Sequence, residues 1–262
     1  MRIARFSVDD EPKYGLVETD DPEGLVGTVA VLDSDPLYRP VQLTGEVLQL
    51  ADVRLLAPVI PRSKVVCVGR NYADHAAELG NDVPAEPMIF LKPNTSVIGP
   101  RDGIVYPEQT NDLQFEGELA IVIGRICRDL PKERAEEVIF GYTIANDVTA
   151  RDLQKSDGQW ARAKGYDTFC PLGPWIQTDL DVADLRVTTT LNGETKQDGR
   201  TSQFIFDIPT VLAYITSFTT LLPGDVVLTG TPAGVGPMLP GDSVSITVDG
   251  LGTLTNRVIV RD

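Results

Sequence analysis

The sequence predicts an α+β fold that is rich in strands, with a mixed or antiparallel sheet and a few helices at its periphery. Short β-like runs separated by Gly, Pro and Asp turns recur along the chain, while helical patterns are confined to a few segments. The strands and helices do not alternate regularly, which disfavours a doubly wound parallel sheet. At 262 residues, the chain is long enough for one large domain, or for one domain with a small appendage.

Residues 1–57 are predicted to form a small, strand-rich N-terminal domain. Its β-like runs, RIARFSVD, YGLVET and GTVAVLD, are separated by acidic turns that contain Gly or Pro. Pro58 and Pro61 mark the boundary between this unit and the main body of the chain. We therefore expect a second, larger domain over residues 58–262.

The main body begins with three predicted strands and a short helix. SKVVCVG and MIFLK each end in a turn, and FEGELAIVIG is typical of a buried strand. In DLPKERAEEVIFG, Pro131 suits the first turn of a helix, and Gly141 stands where a C-cap glycine belongs.

A further strand and the best-defined helix follow in the second half of the chain. YTIANDVT is predicted as a strand, and DIPTVLAYITSF as a helix with Asp207 as its N-cap. The apolar side chains of this helix recur on one stripe, which contains Ile208, Val211, Leu212 and Ile215. From residue 224 onward, we expect strands punctuated by turns.

Composition and charge exclude several classes of protein. The formal net charge of −15 argues against nucleic acid or an anionic membrane as a partner. No apolar run has the length that a membrane span needs, and the first residues lack the apolar region of a signal peptide. Cys67, Cys127 and Cys170 are widely spaced, as in a cytoplasmic protein with reduced thiols.

Acidic residues in two of the predicted strands suggest a metal site. Glu116 and Glu118 should share one face of their strand, where two like charges repel each other. A solvated strand face would tolerate such a pair. Alternatively, Mg²⁺ or Mn²⁺ would convert the repulsion into coordination, with Asp147 from the next strand as a third ligand.

GRNYADHAAELG, residues 69–80, contains the only histidine of the chain. His75 and Glu78 stand three positions apart, so one helical turn would bring them together, and the carboxylate would raise the basicity of the imidazole. An exposed turn with an incidental His–Glu pair is the alternative. The flanking glycines would also suit a mobile lid.

Cationic residues and a glycine-rich segment complete the set of candidates. Most cations are solvated, but Lys164 is flanked by Gly165, aromatic residues and a Pro-rich turn, which sets it apart. The segment LTGTPAGVG, residues 228–236, is not a phosphate loop, because no Lys-Ser/Thr follows it. Its backbone N–H groups and the Thr231 hydroxyl could instead hold a carboxylate.

Six ordered motifs between residue 58 and the C-terminus resemble the fumarylacetoacetate hydrolase family, in particular its short, acylpyruvase-like members. The motifs are GRNYADHAAE (69–78), FLKPNTSVIGP (90–100), FEGELAIVIG (115–124), NDVTARDLQ (146–154), KGYDTFCPLGP (164–174) and LLPGDVVLTGTPAGVG (221–236). The resemblance implies a mixed β-sheet roll, a homodimer, and Mg²⁺ or Mn²⁺ bound by Glu116, Glu118 and Asp147. The first 57 residues look like the N-terminal extension of some members.

The same resemblance implies roles for the remaining candidates. Gln154, Lys164 and Thr231 would hold the keto-acid head of the substrate, with Lys164 also stabilising the charge of an enolate. Arg70 would bind a carboxylate near the lid. His75 and Glu78 would activate a water molecule.

These roles predict a metal-dependent hydrolase that cleaves a C–C bond of acylpyruvate-type keto acids through a pyruvate enolate. His75 and Glu78 favour this reaction, because hydrolysis needs a base. The alternatives are an oxaloacetate decarboxylase and a 2-hydroxyhepta-2,4-diene-1,7-dioate isomerase of aromatic catabolism, which would use the same enolate. A metal-binding protein without catalytic activity is a further alternative.

Overall fold

The computed structural model describes residues 1–78, 80 and 82–261, and most of its regular structure is strand. The strands of the described residues are β1 (Arg2–Val8), β2 (Glu11–Glu18), β3 (Thr28–Leu32), β4 (Leu43–Gln49), β5 (Arg54–Leu56), β6 (Val65–Gly69), β7 (Met88–Lys92), β8 (Val97–Ile98), β9 (Gly103–Val105), β10 (Leu113–Phe115), β11 (Gly117–Ile123), β12 (Ile139–Asn146), β13 (Thr149–Ala150), β14 (Cys170–Gln177), β15 (Arg186–Leu191), β16 (Glu194–Arg200), β17 (Val226–Leu228), β18 (Gly236–Pro237), β19 (Ser243–Val248) and β20 (Gly252–Ile259).

Helices are few and short. The α-helices of the described residues are α1 (Ala73–Glu78), α2 (Arg151–Ser156), α3 (Ala161–Gly165) and α4 (Ile208–Phe218). Single 3₁₀ turns or short 3₁₀ helices occur at Leu50–Asp52, Asn94–Ser96, Lys132–Val138 and Thr201–Gln203. Within the described part of the chain, no helix combines the length and the apolar character that crossing a membrane requires.

The strands form three sheets. The largest has the order β4-β3-β2-β1-β14-β12-β11-β17-β6-β7, with β5 beside β1 and β8 beside β14. Its pairing is antiparallel except between β17 and β6 and between β14 and β8. The other two sheets have the orders β16-β15-β19-β20-β9 and β13-β10-β18. The prediction of a strand-rich α+β fold with mixed sheets is therefore confirmed.

The N-terminal strands extend the largest sheet. β1 pairs with β14 of the main body, where Arg2 lies opposite Gln177 and Ile3 opposite Ile176. These strands also enclose an apolar cluster that includes Phe6, Leu55 and the buried Trp175 of β14. The sequence did not indicate β4, which pairs with β3. The division into domains at residue 57 stays a prediction.

Strand β11 lies at the centre of the molecule and is buried along its whole length. Leu119, Ile121 and Ile123 pack into the cluster that contains α4, while Ala120 and Val122 pack into a second cluster on the opposite face. Burial on both faces explains the continuous apolar run of FEGELAIVIG, because a strand with one solvated face would alternate.

The helix predicted from DIPTVLAYITSF is present as α4. The Asp207 side chain accepts a hydrogen bond from the Thr210 backbone N–H at 2.9 Å, which is the predicted N-cap. The predicted apolar stripe of Ile208, Val211, Leu212 and Ile215 is buried against the core. The three cysteines are buried free thiols, also as predicted.

Gly141 is not a helix C-cap, so this prediction is wrong. The helical segment before it is a 3₁₀ helix that ends at Val138, and Pro131 precedes it in an extended conformation. Gly141 lies inside β12, where a Cβ atom would stand 2.6 Å from the backbone oxygen of Gln177 in β14. The glycine is therefore required by the close approach of two strands.

Candidate active site and metal centre

Strand pairing brings Glu116, Glu118 and Asp147 together. Glu116 lies between β10 and β11, at the point where the chain passes from one sheet into another, and Glu118 is the second residue of β11. Asp147 follows the last residue of the neighbouring strand β12, and its backbone N–H donates to the Glu116 carbonyl at 2.9 Å. All three carboxylates are buried, and one oxygen of each lies within 4.8 Å of the others.

Two of these carboxylates are paired with buried cations. Lys164 Nζ lies 2.8 Å from Glu116 Oε2 and 2.7 Å from Asp147 Oδ2. Arg151 Nη2 donates to Glu116 Oε1 at 2.5 Å, and Lys92 Nζ donates to Asp147 Oδ1 at 2.5 Å. Each oxygen of Glu116 and Asp147 therefore accepts a charged hydrogen bond, which offsets the cost of burying both charges.

Glu118 has a different environment. Its Oε2 accepts a hydrogen bond from the Gly230 backbone N–H at 2.6 Å. Burial raises the pKa of the Glu118 carboxyl well above its usual range, and the charges of Asp147 and Glu116 raise that pKa further. Burial also acts to raise the pKa of Glu116, but Lys164 and Arg151 outweigh it and hold this pKa below its usual range.

The donor set fits a hard divalent cation. Mg²⁺ and Mn²⁺ prefer a few carboxylate oxygens, which Glu116, Glu118 and Asp147 offer close together in a buried site. Among the described residues, Glu118 forms no salt bridge, and a divalent cation would supply the directly bound positive charge. The geometry that the sequence suggested for these three residues is therefore present.

The His75–Glu78 contact is formed on the short helix α1. His75 is buried, and its Nδ1 lies 3.3 Å from Glu78 Oε2. The Gly234 backbone N–H donates to both oxygens of Glu78, at 3.0 and 3.2 Å. This second contact holds the Glu78 carboxylate in place, so that Glu78 orients the imidazole ring of His75.

Asn71 anchors the chain just before this helix, and nothing in the sequence indicated that role. Its side-chain Nδ2 donates to the carbonyls of Phe206 and Thr229, at 3.1 and 2.8 Å. Its Oδ1 accepts from the Phe206 N–H at 2.8 Å. Asn71 thereby ties α1 to the loop after β17 and to the segment before α4.

The carboxylate cluster and His75 border the same cavity. Its volume is about 50 Å³, which is room for a few water molecules. The predicted site residues that line it are Arg70, His75, Glu116, Glu118, Gln154, Lys164 and Thr231. The other two predicted residues lie directly behind them, because Glu78 contacts His75 and Asp147 contacts Lys164. Phe90, Arg151 and Trp160 also line the cavity.

Thr231 and Gln154 are held by neighbouring side chains. Thr231 donates to the Gly117 carbonyl at 2.9 Å and accepts from Gln197 Nε2 at 2.7 Å. Gln154 accepts from Arg151 Nη1 at 2.6 Å. The Thr231 hydroxyl and the Gln154 Oε1 atom therefore each have a partner within the protein. These hydrogen bonds fix the orientation of both side chains at the cavity.

Gln197 is a buried residue that sequence reasoning missed. It lies in β16, and its Oε1 accepts from the Gly117 N–H at 3.0 Å and from Thr189 Oγ1 at 2.7 Å. Its Nε2 donates to Thr231 and to the Pro232 carbonyl, both at 2.7 Å. The side chain thus links the start of β11, next to Glu116 and Glu118, to the Thr231 loop.

Comparison with protein families agrees with these features. The family model "Fumarylacetoacetate (FAA) hydrolase C-terminal" matches residues 64–259, and the model "Rv2993c-like, N-terminal" matches residues 1–58. Among curated proteins, an oxaloacetate tautomerase of Bacillus subtilis, YisK, is 41% identical over 231 residues, which are 83% of this chain and 77% of YisK.

Solved structures with the same fold carry several enzyme names. A structure from Mycobacterium marinum titled 2-hydroxyhepta-2,4-diene-1,7-dioate isomerase is 50% identical, covers 100% of this chain and 99% of its own, and has a TM-score of 0.92. A Pseudomonas aeruginosa fumarylpyruvate hydrolase in complex with Mn²⁺ and pyruvate is 36% identical, covers 77% of this chain and 91% of its own, and has a TM-score of 0.73. This chain belongs to the fumarylacetoacetate hydrolase family.

Proposed function

We propose that this protein is a divalent-metal-dependent enzyme that enolises 2-keto acids at carbon 3 and thereby interconverts their keto and enol forms. The observation that carries the proposal is the position of His75, held by Glu78 in the same cavity as the carboxylate cluster and Lys164. A base beside a cationic site is what proton removal next to a carbonyl requires. The names of the tautomerase and isomerase relatives support this reaction class.

In this proposal, Glu116, Glu118 and Asp147 hold Mg²⁺ or Mn²⁺. The bound metal would supply Lewis-acid stabilisation for the negative charge that develops on the keto oxygen. The Mn²⁺ and pyruvate named for the fumarylpyruvate hydrolase structure support a metal and a 2-keto acid in one site. Arg70 and the Nε2 of Gln154 would donate to the substrate carboxylate groups, and Thr231, whose hydroxyl proton goes to the Gly117 carbonyl, would line that end of the cavity. The enzyme would act as a homodimer.

His75 would move the proton. Because its Nδ1 faces Glu78, its Nε2 is the nitrogen that remains for the substrate. Nε2 would take the proton from carbon 3 as the C–H electrons form the enolate, and Glu78 would stabilise the imidazolium. Delivery of that proton to the keto oxygen completes the enol, so nothing is gained or lost in the overall reaction. Lys164 would balance the enolate charge.

Hydrolysis of a C–C bond in acylpyruvate-type acids is the second candidate. The same His75–Glu78 pair could take a proton from water, which would then attack the acyl group and release pyruvate as its enolate. The fumarylpyruvate hydrolase relative favours this reaction. Decarboxylation of oxaloacetate would use the enolate without any attacking water.

Ultraviolet absorbance of the enol of oxaloacetate separates these reactions. The purified protein is treated with EDTA, reloaded with Mg²⁺ or Mn²⁺, and mixed with oxaloacetate, acetylpyruvate or fumarylpyruvate, while pyruvate is measured in parallel. We expect metal-dependent loss of the enol signal without pyruvate release, and a rate about 10²- to 10⁴-fold lower in His75→Asn. Pyruvate release at the rate of enol loss would instead support a hydrolase or a decarboxylase, depending on the substrate. Metal binding without any turnover would support a non-catalytic protein.

A further inference from the structure

We infer that a second cavity, at the place where the N-terminal strands meet the main body, binds a small organic anion that carries a flat ring. We call it the junction cavity. Its volume is about 400 Å³, which lies in the range of small-molecule pockets. Among the described residues, it shares no lining residue with the cavity that contains His75. The inference is therefore independent of the proposed function.

Four separate segments of the chain build the junction cavity. Arg5 comes from β1 and Tyr14 from β2, while Tyr38 lies between β3 and β4 and Arg62 between β5 and β6. Arg62 falls in the short stretch that neither family model matches, since one match ends at residue 58 and the other begins at residue 64. The Tyr38 hydroxyl donates to the Pro223 carbonyl at 3.1 Å, just before β17. A bound ligand would thus contact the N-terminal strands and the start of the main body together.

Two arginines supply positive charge to the junction cavity. Within the described part of the chain, neither Arg5 nor Arg62 forms an ion pair or donates a side-chain hydrogen bond, although the formal net charge of the chain is −15. Of the described lining residues, Asp35 is the one acidic side chain, and its Oδ1 already accepts from the Leu37 N–H at 3.0 Å. The guanidinium donors are therefore available to an anion from solution.

The Arg62 guanidinium is held in place by an aromatic ring. Its Cζ lies over the Tyr38 ring, 4.2 Å from the ring centroid, which is a cation–π contact. This contact uses the face of the guanidinium group and leaves the N–H donors at its edge. Those donors match two oxygens of one carboxylate or phosphate group, and an arginine that is already oriented loses less conformational entropy when it binds them.

The rest of the lining favours a flat, apolar body on the anion. Tyr14 lies directly opposite Arg5 in the pairing of β1 with β2, so a tyrosine accompanies each of the two arginines. Ile60 and Tyr38 line the cavity with 52% and 43% of their surfaces exposed. A ring placed between these side chains would remove apolar surface from water, which a bare inorganic anion cannot do.

Calorimetric titration with four small molecules tests the inference. Benzoate and phenyl phosphate each combine a ring with an anionic head group, whereas inorganic phosphate has the charge alone and benzamide the ring alone. We expect at least one of the ring anions to bind about tenfold or more tightly than both controls. The tighter of the two identifies the preferred head group. Equal affinity for inorganic phosphate, or no binding of either ring anion, would overturn the inference.

Arginine variants locate the bound ring anion. Arg62→Leu should weaken its binding about tenfold or more and leave turnover of oxaloacetate unchanged. The matched control is Arg39→Leu, because Arg39 is exposed beside Tyr38 but does not line the cavity, and this variant should bind like the wild type. Arg62→Lys keeps the charge without the planar donor group, so it should bind with intermediate affinity, and it replaces Arg62→Leu if that variant does not fold.

The active-site cavity also contains an arginine, Arg70, which could attract the same probes. Arg70→Leu should therefore retain the binding of the ring anion while its turnover of 2-keto acids falls. Binding that is lost in Arg70→Leu and kept in Arg62→Leu would place the probe in the active site and would overturn the inference.

Discussion

Arg151 and Glu116 form a buried ion pair, with Nη2 of the arginine 2.5 Å from Oε1 of the glutamate. The arginine also donates from Nε to Gln114 Oε1 at 2.8 Å and from Nη1 to Gln154 Oε1 at 2.6 Å. Its planar donor groups therefore connect a carboxylate of the candidate metal site to two amide side chains. This guanidinium group thereby holds Gln154 at the cavity and shares the Glu116 carboxylate with Lys164.

Substitution of Arg151 by Leu should destabilise the protein and weaken metal binding. Removing one partner of a buried ion pair leaves an uncompensated charge, and we expect the free energy of unfolding to fall by about 3 kcal/mol, since Lys164 still pairs with Glu116. Urea denaturation and calorimetric Mn²⁺ titration provide the measurements. The matched control is Arg162→Leu, which removes an ion pair with Asp157 at the surface. This variant should have the stability and the Mn²⁺ affinity of the wild type.

Glu116→Gln and Glu118→Gln should have opposite effects on the stability of the metal-free protein. The pKa of Glu116 is held below its unfolded value near 4.5, so its charge stabilises the fold above that pH and is lost as the pH falls through the folded pKa. The pKa of Glu118 is raised, so its contribution is favourable below 4.5 and is lost as the pH rises through the folded pKa. At neutral pH, Glu116→Gln should therefore destabilise and Glu118→Gln should stabilise.

Urea unfolding in EDTA at several values between pH 5 and pH 8 checks this pair of variants. Relative to Glu118→Gln, the wild type should lose stability as the pH rises across this range. With Mn²⁺ present, the wild type should become more stable than Glu118→Gln, because the wild type gains a free energy of metal binding that the variant cannot gain. A Glu118→Gln protein less stable than the wild type at pH 8 without metal would contradict the assigned pKa direction.

Glu78→Gln should separate proton transfer from metal binding. The amide oxygen of the substituted side chain could still accept from the Gly234 N–H, but the neutral group would no longer stabilise a protonated His75. We expect kcat to fall about tenfold or more while the affinity for Mn²⁺ stays unchanged. Steady-state kinetics over pH and a calorimetric Mn²⁺ titration report the two effects independently. A parallel loss of metal affinity would assign Glu78 to the metal centre instead.

The features that could be predicted from sequence are those encoded within a short segment. The N-cap and apolar stripe of α4 are neighbours in the chain, as are His75 and Glu78, so local spacing was sufficient. Glu116, Glu118 and Asp147 lie in or next to two paired strands, and their convergence was suggested by the acidic residues of these predicted strands and then by six motifs in a fixed order.

The features that could not be predicted depend on contacts between distant segments. Gly141 has the sequence context of a helix end, but the approach of β14 decides its role. The partners of Arg151 and Lys92 could not be predicted, because a sequence does not show which cation reaches which carboxylate. Gln197 lies 80 residues from Gly117 in a strand whose flanking residues are exposed, and its pattern gives no sign of a buried amide.

Gln197→Leu should therefore reveal how far the active site depends on a residue that does not line its cavity. The leucine would leave the buried Gly117 N–H without its partner and would remove the donor to Thr231. We expect a loss of about 3 kcal/mol in the free energy of unfolding, since each buried polar group without a partner costs about 1–3 kcal/mol. KM for 2-keto acids should rise as Thr231 loses its orientation. Gln203→Leu is the control, because Gln203 is exposed and, within the described part of the chain, its side chain accepts only from the Arg200 N–H. If both variants showed the same stability and the same KM, Gln197 would have no role in positioning the Thr231 loop.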